Sequence, residues 1–207
     1  MNKLVIASNN AGKLKEIQRV LAPLKWEVLP QSVFNIPEAA EPHHTFIENA
    51  LAKARHASKL SGLPALADDS GICVDALNGA PGVYSAHYAG EPKSDQRNNE
   101  ALLAAMKNIS NRKAHYYCVL VMVRHANDPQ PIIAEGIWRG EIAHEPRGDG
   151  GFGYDPLFFL PGLNKMSAEL SHDEKNKISH RGLALAELIK KSPCHSEELY
   201  PKNLLLP

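Results

Sequence analysis

Apolar positions along the chain follow two periods, and the change from one to the other marks out the expected elements. "KLVIAS" (3–8) is a short apolar run, and in "AGKLKEIQRVLAPL" Leu14, Ile17 and Leu21 recur at helical spacing. A strand, a polar turn and a helix are expected there. "EVLP" predicts a second strand, followed by a proline-rich loop to His44. "TFIENALAKARHASKLSG" is the clearest helix, with a Thr45–Glu48 capping box at its start and Gly62 then Pro64 at its end. "ALADDSGICVDAL" predicts a strand, a sharp turn at Ser70-Gly71 and another strand; "SDQRNNEALLAAMKN" predicts a helix. Two β-rich runs, 114–125 and 132–144, flank the turn "NDPQP". After a glycine-rich loop and the short strand "LFFL", residues 167–191 are mostly helical. Alternating strands and helices followed by paired strands predict an α/β fold, with a mixed sheet flanked by helices.

Composition narrows the class. The chain has 207 residues, enough for one domain or two lobes on one sheet. Lys plus Arg equals Asp plus Glu at 23 each, so no general basic field exists for a nucleic-acid backbone. The longest apolar run, "YYCVLVMV" (116–123), is too short to cross a bilayer, and no secretory signal precedes "SNN". Cys73, Cys118 and Cys194 form no paired motif and are expected as free thiols in a reducing cytoplasm.

"GDGGFGYDPLFF" (148–159) contains the dinucleotide pattern at Gly148, Gly150 and Gly153. That pattern needs a helix after the last glycine, to present its N-terminus to a pyrophosphate. Tyr154-Asp155-Pro156 and an aromatic strand follow instead, so the dinucleotide reading fails.

Other stretches bear chemistry more directly. Ser8, Asn9 and Asn10 occupy the turn before the first helix, and Lys13 lies in its first turn. Free backbone donors and a lysine there make an anion site, or else an ordinary polar helix start. Asn49, Lys53 and His56 share one face of the capped helix, a stripe that is either solvated or functional. Asp68 and Asp69 end an apolar run, where adjacent carboxylates repel unless a cation is near. Such oxygens suit Mg²⁺, although aspartate and serine also cap plain turns. His43-His44 lacks a third zinc ligand and is expected to be exposed. Ser179-His180-Arg181 offers several donors before Gly182.

Taken in order, Ser8-x-Asn10-x-x-Lys13, "TFIENALAKA", "ALADDSG", "GAPGVYSA", "GGFGYDPLF", "MSAEL" and "SHRG" resemble the pyrophosphatases that hydrolyse inosine, deoxyinosine and xanthosine triphosphates. The resemblance runs from about residue 4 to about residue 190, which implies one domain over 1–192 and a tail over 193–207. It implies two lobes with a substrate cleft between them, a homodimer, and Mg²⁺-dependent attack of water on the α-phosphorus. Lys13, Lys53 and Lys175 would hold the triphosphate with Ser8, Asn9, Asn10, Ala11, Gly12 and Ser70. Glu41, Asp68 and Asp69 would gather the metal, with Asp69 also placing or deprotonating the water. Phe152 would stack on the purine within a frame of Gly153, Tyr154 and Asp155, and His180 and Arg181 would read its oxo edge. Asn9 stands where many members have glycine, and His87 where arginine is common. The rival readings are a pyrophosphatase of modified pyrimidine nucleotides and a non-hydrolysing nucleotide sensor. The Asp68-Asp69 pair argues against the sensor, which needs no metal and water machinery.

Overall fold

The computed structural model describes residues 2–22 and 26–192, so the expected tail lies outside the described residues. Seven strands form one mixed sheet in the order β2-β1-β3-β4-β5-β6-β7. β1 (Asn2–Ile6) pairs in parallel with β2 (Trp26–Pro30) and with the start of β3 (Ala65–Val74). β4 (Lys113–Val123), β5 (Ile132–Ile142), β6 (Phe158–Leu160) and β7 (Lys165–Met166) continue antiparallel. The α/β class with a mixed sheet is as the apolar pattern predicts.

Helices cover both faces. On one face, α1 (Ala11–Leu21) buries Ile17 and Leu21 beside Leu185 and Leu188 of α5 (His180–Lys191). On the other, α2 (Phe46–Ser61) presents Ala50, Ala54 and Ala57, all fully buried against Val5, Ala65 and Val121. Small side chains let that helix lie close to the sheet. A third apolar cluster joins α3 (Asp95–Ala105) to the far half of the sheet through Leu102, Tyr116, Trp138 and Phe158. The remaining helix, α4 (His172–Ile178), leads directly into α5.

The cleft arises from a mismatch in strand length. β1 pairs with β3 only at Ala65 and Leu66, then turns away, whereas β3 continues to Val74 with β4 beside it throughout. From Asp68 onward, one edge of β3 faces the loop that leaves β1. This is the carboxyl end of a parallel strand, where α/β sheets commonly hold ligands. The sharp turn expected at Ser70-Gly71 does not exist, because β3 runs straight through it. Gly71 serves close approach instead: a Cβ there would lie 2.3 Å from the Gly82 carbonyl oxygen and 2.5 Å from Ser85 Oγ. The short 3-10 helix Gly82–His87 therefore packs directly on β3.

Gly136 of β5 does the same for α5, since a Cβ there would lie 1.9 Å from the His180 carbonyl oxygen. Gly136→Ala must push the start of α5 off the sheet, and overpacking of this kind costs about 1–3 kcal/mol. Urea unfolding is expected to show a lower midpoint with an unchanged slope; an unmoved midpoint would mean that the helix start yields freely.

Candidate active site

The turn after β1 is held by its own side chains. Ser8 Oγ accepts from the Asn10 amide at 3.2 Å, and Asn10 Oδ1 caps α1 by accepting from the Lys13 amide at 3.0 Å. Asn9 donates to Glu38 Oε1 at 3.2 Å. Ala11 and Gly12 open α1, and first-turn amides have no partner within a helix, so they face outward as donors.

Alternation along β3 separates the two aspartates. Leu66 belongs to the α1–α5 face and Ala65 and Ala67 to the α2 face, so Asp68 projects with the former and Asp69 with the latter. Their surroundings differ accordingly. Asp68 is buried against Lys13 Nζ at 2.9 Å and Arg181 Nη2 at 3.3 Å, and Ser70 Oγ donates to it at 3.3 Å. Burial alone would raise its pKa, but Lys13, Arg181 and Lys53 together hold it well below the usual carboxylate range. Asp69 accepts from Lys53 Nζ at 2.8 Å and from Asn49 Nδ2 at 3.4 Å. Here burial wins: with the nearby Glu41 charge adding to it, the carboxyl is pushed up to about 6 despite Lys53.

The polar stripe of α2 is not solvated. Asn49 is buried and grips the His43 backbone through both ends of its amide, at 3.1 and 3.2 Å. His56 meets the Pro37 carbonyl oxygen at 3.0 Å. Lys53 lies between Asp69 and Glu41, whose Oε2 is 3.1 Å from its ammonium. Burial opposes that charge, but Asp69, Asp68 and Glu41 outweigh it and raise the pKa of Lys53. His43 and His44 are exposed, as expected.

The glycine loop is built on a buried carboxylate. Asp155 accepts from the Phe152 amide at 2.9 Å, from Ser167 Oγ at 2.8 Å and from Lys175 Nζ at 2.5 Å. Lys175 thus stands apart from the lysines near Asp69, with which the sequence grouped it. Its ammonium is drawn to Asp155 and lies 4.7 Å from the centre of the Phe152 ring. Tyr154 is buried and donates to the Ser85 carbonyl at 2.8 Å, so it braces the loop. Phe152 remains 39% exposed.

In the same pocket, His180 stacks on Tyr116 at 4.6 Å with the planes 8° apart. Burial, together with the Arg181 and Lys175 charges, drives its pKa well below the ordinary histidine value and keeps the ring neutral. Arg181 is buried, with Nη1 on Glu16 at 2.5 Å and Nη2 on Asp68 and on Ser70 Oγ at 3.1 Å. His180 Nδ1 and Arg181 Nε are buried with no partner. Two adjacent orphaned nitrogens beside an aromatic ring suit the polar edge of a flat ligand.

Two adjoining cavities gather these groups. The first is lined by Phe152, Gly153, Tyr154, Asp155, Lys175, His180 and Arg181; the second by Ser8, Asn9, Glu41, Lys53, Asp68 and Asp69. Asn10, Lys13, Ser70 and Asp95 line both. Sequence reasoning missed Asp95 and Lys93 at this cleft, and Glu16 behind Arg181, while His87, noted as a departure from the family pattern, lines it too. None of the three missed residues sits in a recognisable motif; Lys93 merely precedes the Ser94 cap of α3. Among the described residues no three His, Cys, Asp or Glu side chains form a ready metal cage. Glu41 and Asp69 do converge on one ammonium, and one or two carboxylates together with ligand phosphates are the usual donor set for Mg²⁺.

A mixed α/β sheet with an aromatic, donor-bearing pocket opening into a chamber of lysines and carboxylates defines a cleft suited to a phosphorylated, flat-ringed ligand. The Ham1 family profile matches residues 4–191, and the chain belongs to that family. It is 67% identical over 190 residues to the dITP/XTP pyrophosphatase of Nitrosomonas europaea, covering 92% of this chain and 94% of that one. It is 64% identical over 190 residues to the dITP/XTP pyrophosphatase of Chromobacterium violaceum, covering 92% and 96%. Its fold matches the structure of a HAM1 protein from Coxiella burnetii with a TM-score of 0.87 and 49% identity, covering 91% and 96%.

Asp68 anchors the cluster, so Asp68→Asn leaves Lys13 and Arg181 without their shared anion. Breaking a buried pair costs about 3 kcal/mol, to be read from urea unfolding at pH 7. The folded pKa lies below the unfolded value, so the wild-type contribution is present above about pH 4 and fades as pH falls further. The gap between variant and wild type should therefore shrink on acidification; a constant gap would remove the charge as its cause.

Proposed function

We propose that the cleft hydrolyses non-standard purine nucleoside triphosphates (ITP, dITP and XTP) to the monophosphate and pyrophosphate, with Mg²⁺ as cofactor. The protein would act in the cytoplasm, as a homodimer, to clear these nucleotides from the pool. The observation that carries the reading is the pair of buried, unpartnered nitrogens, His180 Nδ1 and Arg181 Nε, on two residues that line the Phe152 pocket where it adjoins a lysine-lined chamber. The names of the relatives from Nitrosomonas europaea and Chromobacterium violaceum support it.

The base stacks on Phe152, which is affinity without selection because every base offers a π-face. Arg181 Nε–H can donate only to an acceptor, which a 6-oxo group supplies and adenine's amino group does not. Lys13 stands at the junction of the two cavities and Lys53 in the second, so the phosphate chain runs from Lys13 toward Asp69. Lys175 belongs with the base platform rather than with the phosphates. Glu41 and Asp69 would hold Mg²⁺, with Asp68 behind them serving the positive cluster. When bound, the cation neutralises phosphate oxygens as charge develops on them. Asp69 is the base that takes the proton from the attacking water, since its pKa of about 6 suits proton transfer near neutrality.

Incubation with ITP and Mg²⁺, with ATP competing in the same reaction, tests the function. Pyrophosphate and IMP are expected, with kcat/KM favouring ITP by ~10⁴. Orthophosphate with IDP, or a ratio near one, would overturn the reaction or the base reading respectively.

Asp69→Asn should lower kcat by ~10²–10⁴ while KM changes far less. In the wild type, kcat/KM should fall tenfold per pH unit below about 6, as the base is protonated. Raising the Mg²⁺ concentration should move that limb to lower pH, because the cation competes with the proton. An acid limb insensitive to both Mg²⁺ and Asp69→Asn would assign it to another group.

A further inference from the structure

The peptide that follows Phe152 is gripped from outside its own loop. The Gly153 amide donates to Asp95 Oδ2 at 2.7 Å, and the Gly153 carbonyl accepts from Asn99 Nδ2 at 2.9 Å. Asp95 and Asn99 lie one turn apart at the start of α3, more than fifty positions away in sequence. Both polar groups of one residue, itself at φ +63°, are thus fixed by one helix. On the other side of Phe152 its own amide is held by Asp155. The ring between these two anchors is the exposed platform, lying against Gly12 and the Lys175 ammonium.

Each gripping residue has a plainer explanation, and neither is sufficient. An acid in the first helical turn favours the helix dipole wherever its side chain points. Ser94 already caps α3 by accepting from the Arg97 amide, so the cap does not require Asp95. Asn99 could be a simple packing residue, yet its Oδ1 is buried without a partner while its Nδ2 reaches Gly153. The side chain is placed for what it donates. Asp95 also lines both cavities and the outer groove beside Phe152, so the grip lies at the rim of the site.

We infer that Asp95 and Asn99 are positioning residues for the reaction: together they clamp the Gly153 peptide and so fix the height and tilt of the Phe152 ring over the base. They act through the platform and touch no reacting atom. The inference rests on the reading of Phe152 as the base platform.

Kinetics on a small set of variants test it. Asp95→Ala removes the acceptor for Gly153 N–H and should raise KM for ITP about tenfold, the effect of losing one charge-assisted hydrogen bond. Its kcat should stay within about twofold. Asp95→Asn keeps an acceptor and should restore most of the affinity. Asn99→Asp keeps the shape but faces the Gly153 carbonyl with an acceptor, and should raise KM as Asp95→Ala does. The deciding measurement is a double-mutant cycle with Phe152→Ala: once the ring is gone, Asp95→Ala should add almost nothing to KM. Additive effects, no rescue by asparagine, or a kcat loss matching the KM rise would overturn the clamp. A Phe152→Ala enzyme with a raised KM beside an Asp95→Ala enzyme with wild-type kinetics would remove the clamp and leave the platform. A Phe152→Ala enzyme with unchanged KM would remove the platform and the clamp with it.

Discussion

One buried carboxylate ties the site together. Asp68 is shared by Lys13 of α1 and Arg181 of α5, and through Arg181 it reaches Glu16 on the next turn of α1. Three elements far apart in sequence meet at that anion, at the point where β1 parts from β3. A buried carboxylate is unstable without counter-charge, and two cations without it would repel. Each group therefore holds the others. The same contacts engage both terminal nitrogens of Arg181 and leave Nε buried without a partner.

Asp69, the next residue, has the opposite fate for a simple geometric reason. A strand sends neighbouring side chains to opposite faces, so the carboxylates expected to repel each other are kept apart by the backbone between them. Asp68 meets two cations and stays ionised; Asp69 meets one, shared with Glu41, and is pushed up to about 6. Burial that raises a carboxyl toward neutrality has a cost. The folded pKa of Asp69 is above its unfolded value, so its contribution to stability is present below about pH 4 and is lost as pH rises through about 6. At neutral pH the fold retains this residue at the expense of stability, the pattern expected of a functional group.

The platform shows the same division of labour. Asp155 looks in sequence like part of a base-binding frame, but it is buried and organises the loop from beneath, with Lys175, Ser167 and the Phe152 amide around it. Lys175 is its counter-ion. Two glycines of the sheet owe their place to close approach. Gly71 is no turn but a gap that admits Gly82 and Ser85, and Gly136 is a gap that seats the His180-Arg181 turn.

Periodicity and punctuation determined the elements: the Leu14–Ile17–Leu21 stripe, the Thr45 cap and the Gly62 stop are local signals, and local signals survive without the fold. The motifs around Ser8, Asp68, Phe152 and Arg181 likewise named the residues that gather at the cleft. Tertiary structure decided what each of them does. Whether Lys53 is solvated, whether Asp68 or Asp69 can accept a proton, and whether Lys175 faces phosphate or aspartate depend on which charges lie within a few ångströms. Those neighbours are 12 to 113 positions away in the chain: Lys53 meets Glu41 and Asp69, Asp68 meets Arg181, and Lys175 meets Asp155. Asp95 and Asn99 carry no motif at all, and only folding brings them to Gly153. Charge and hydrogen-bond partnership are properties of distance in space, and a sequence records only distance along the chain.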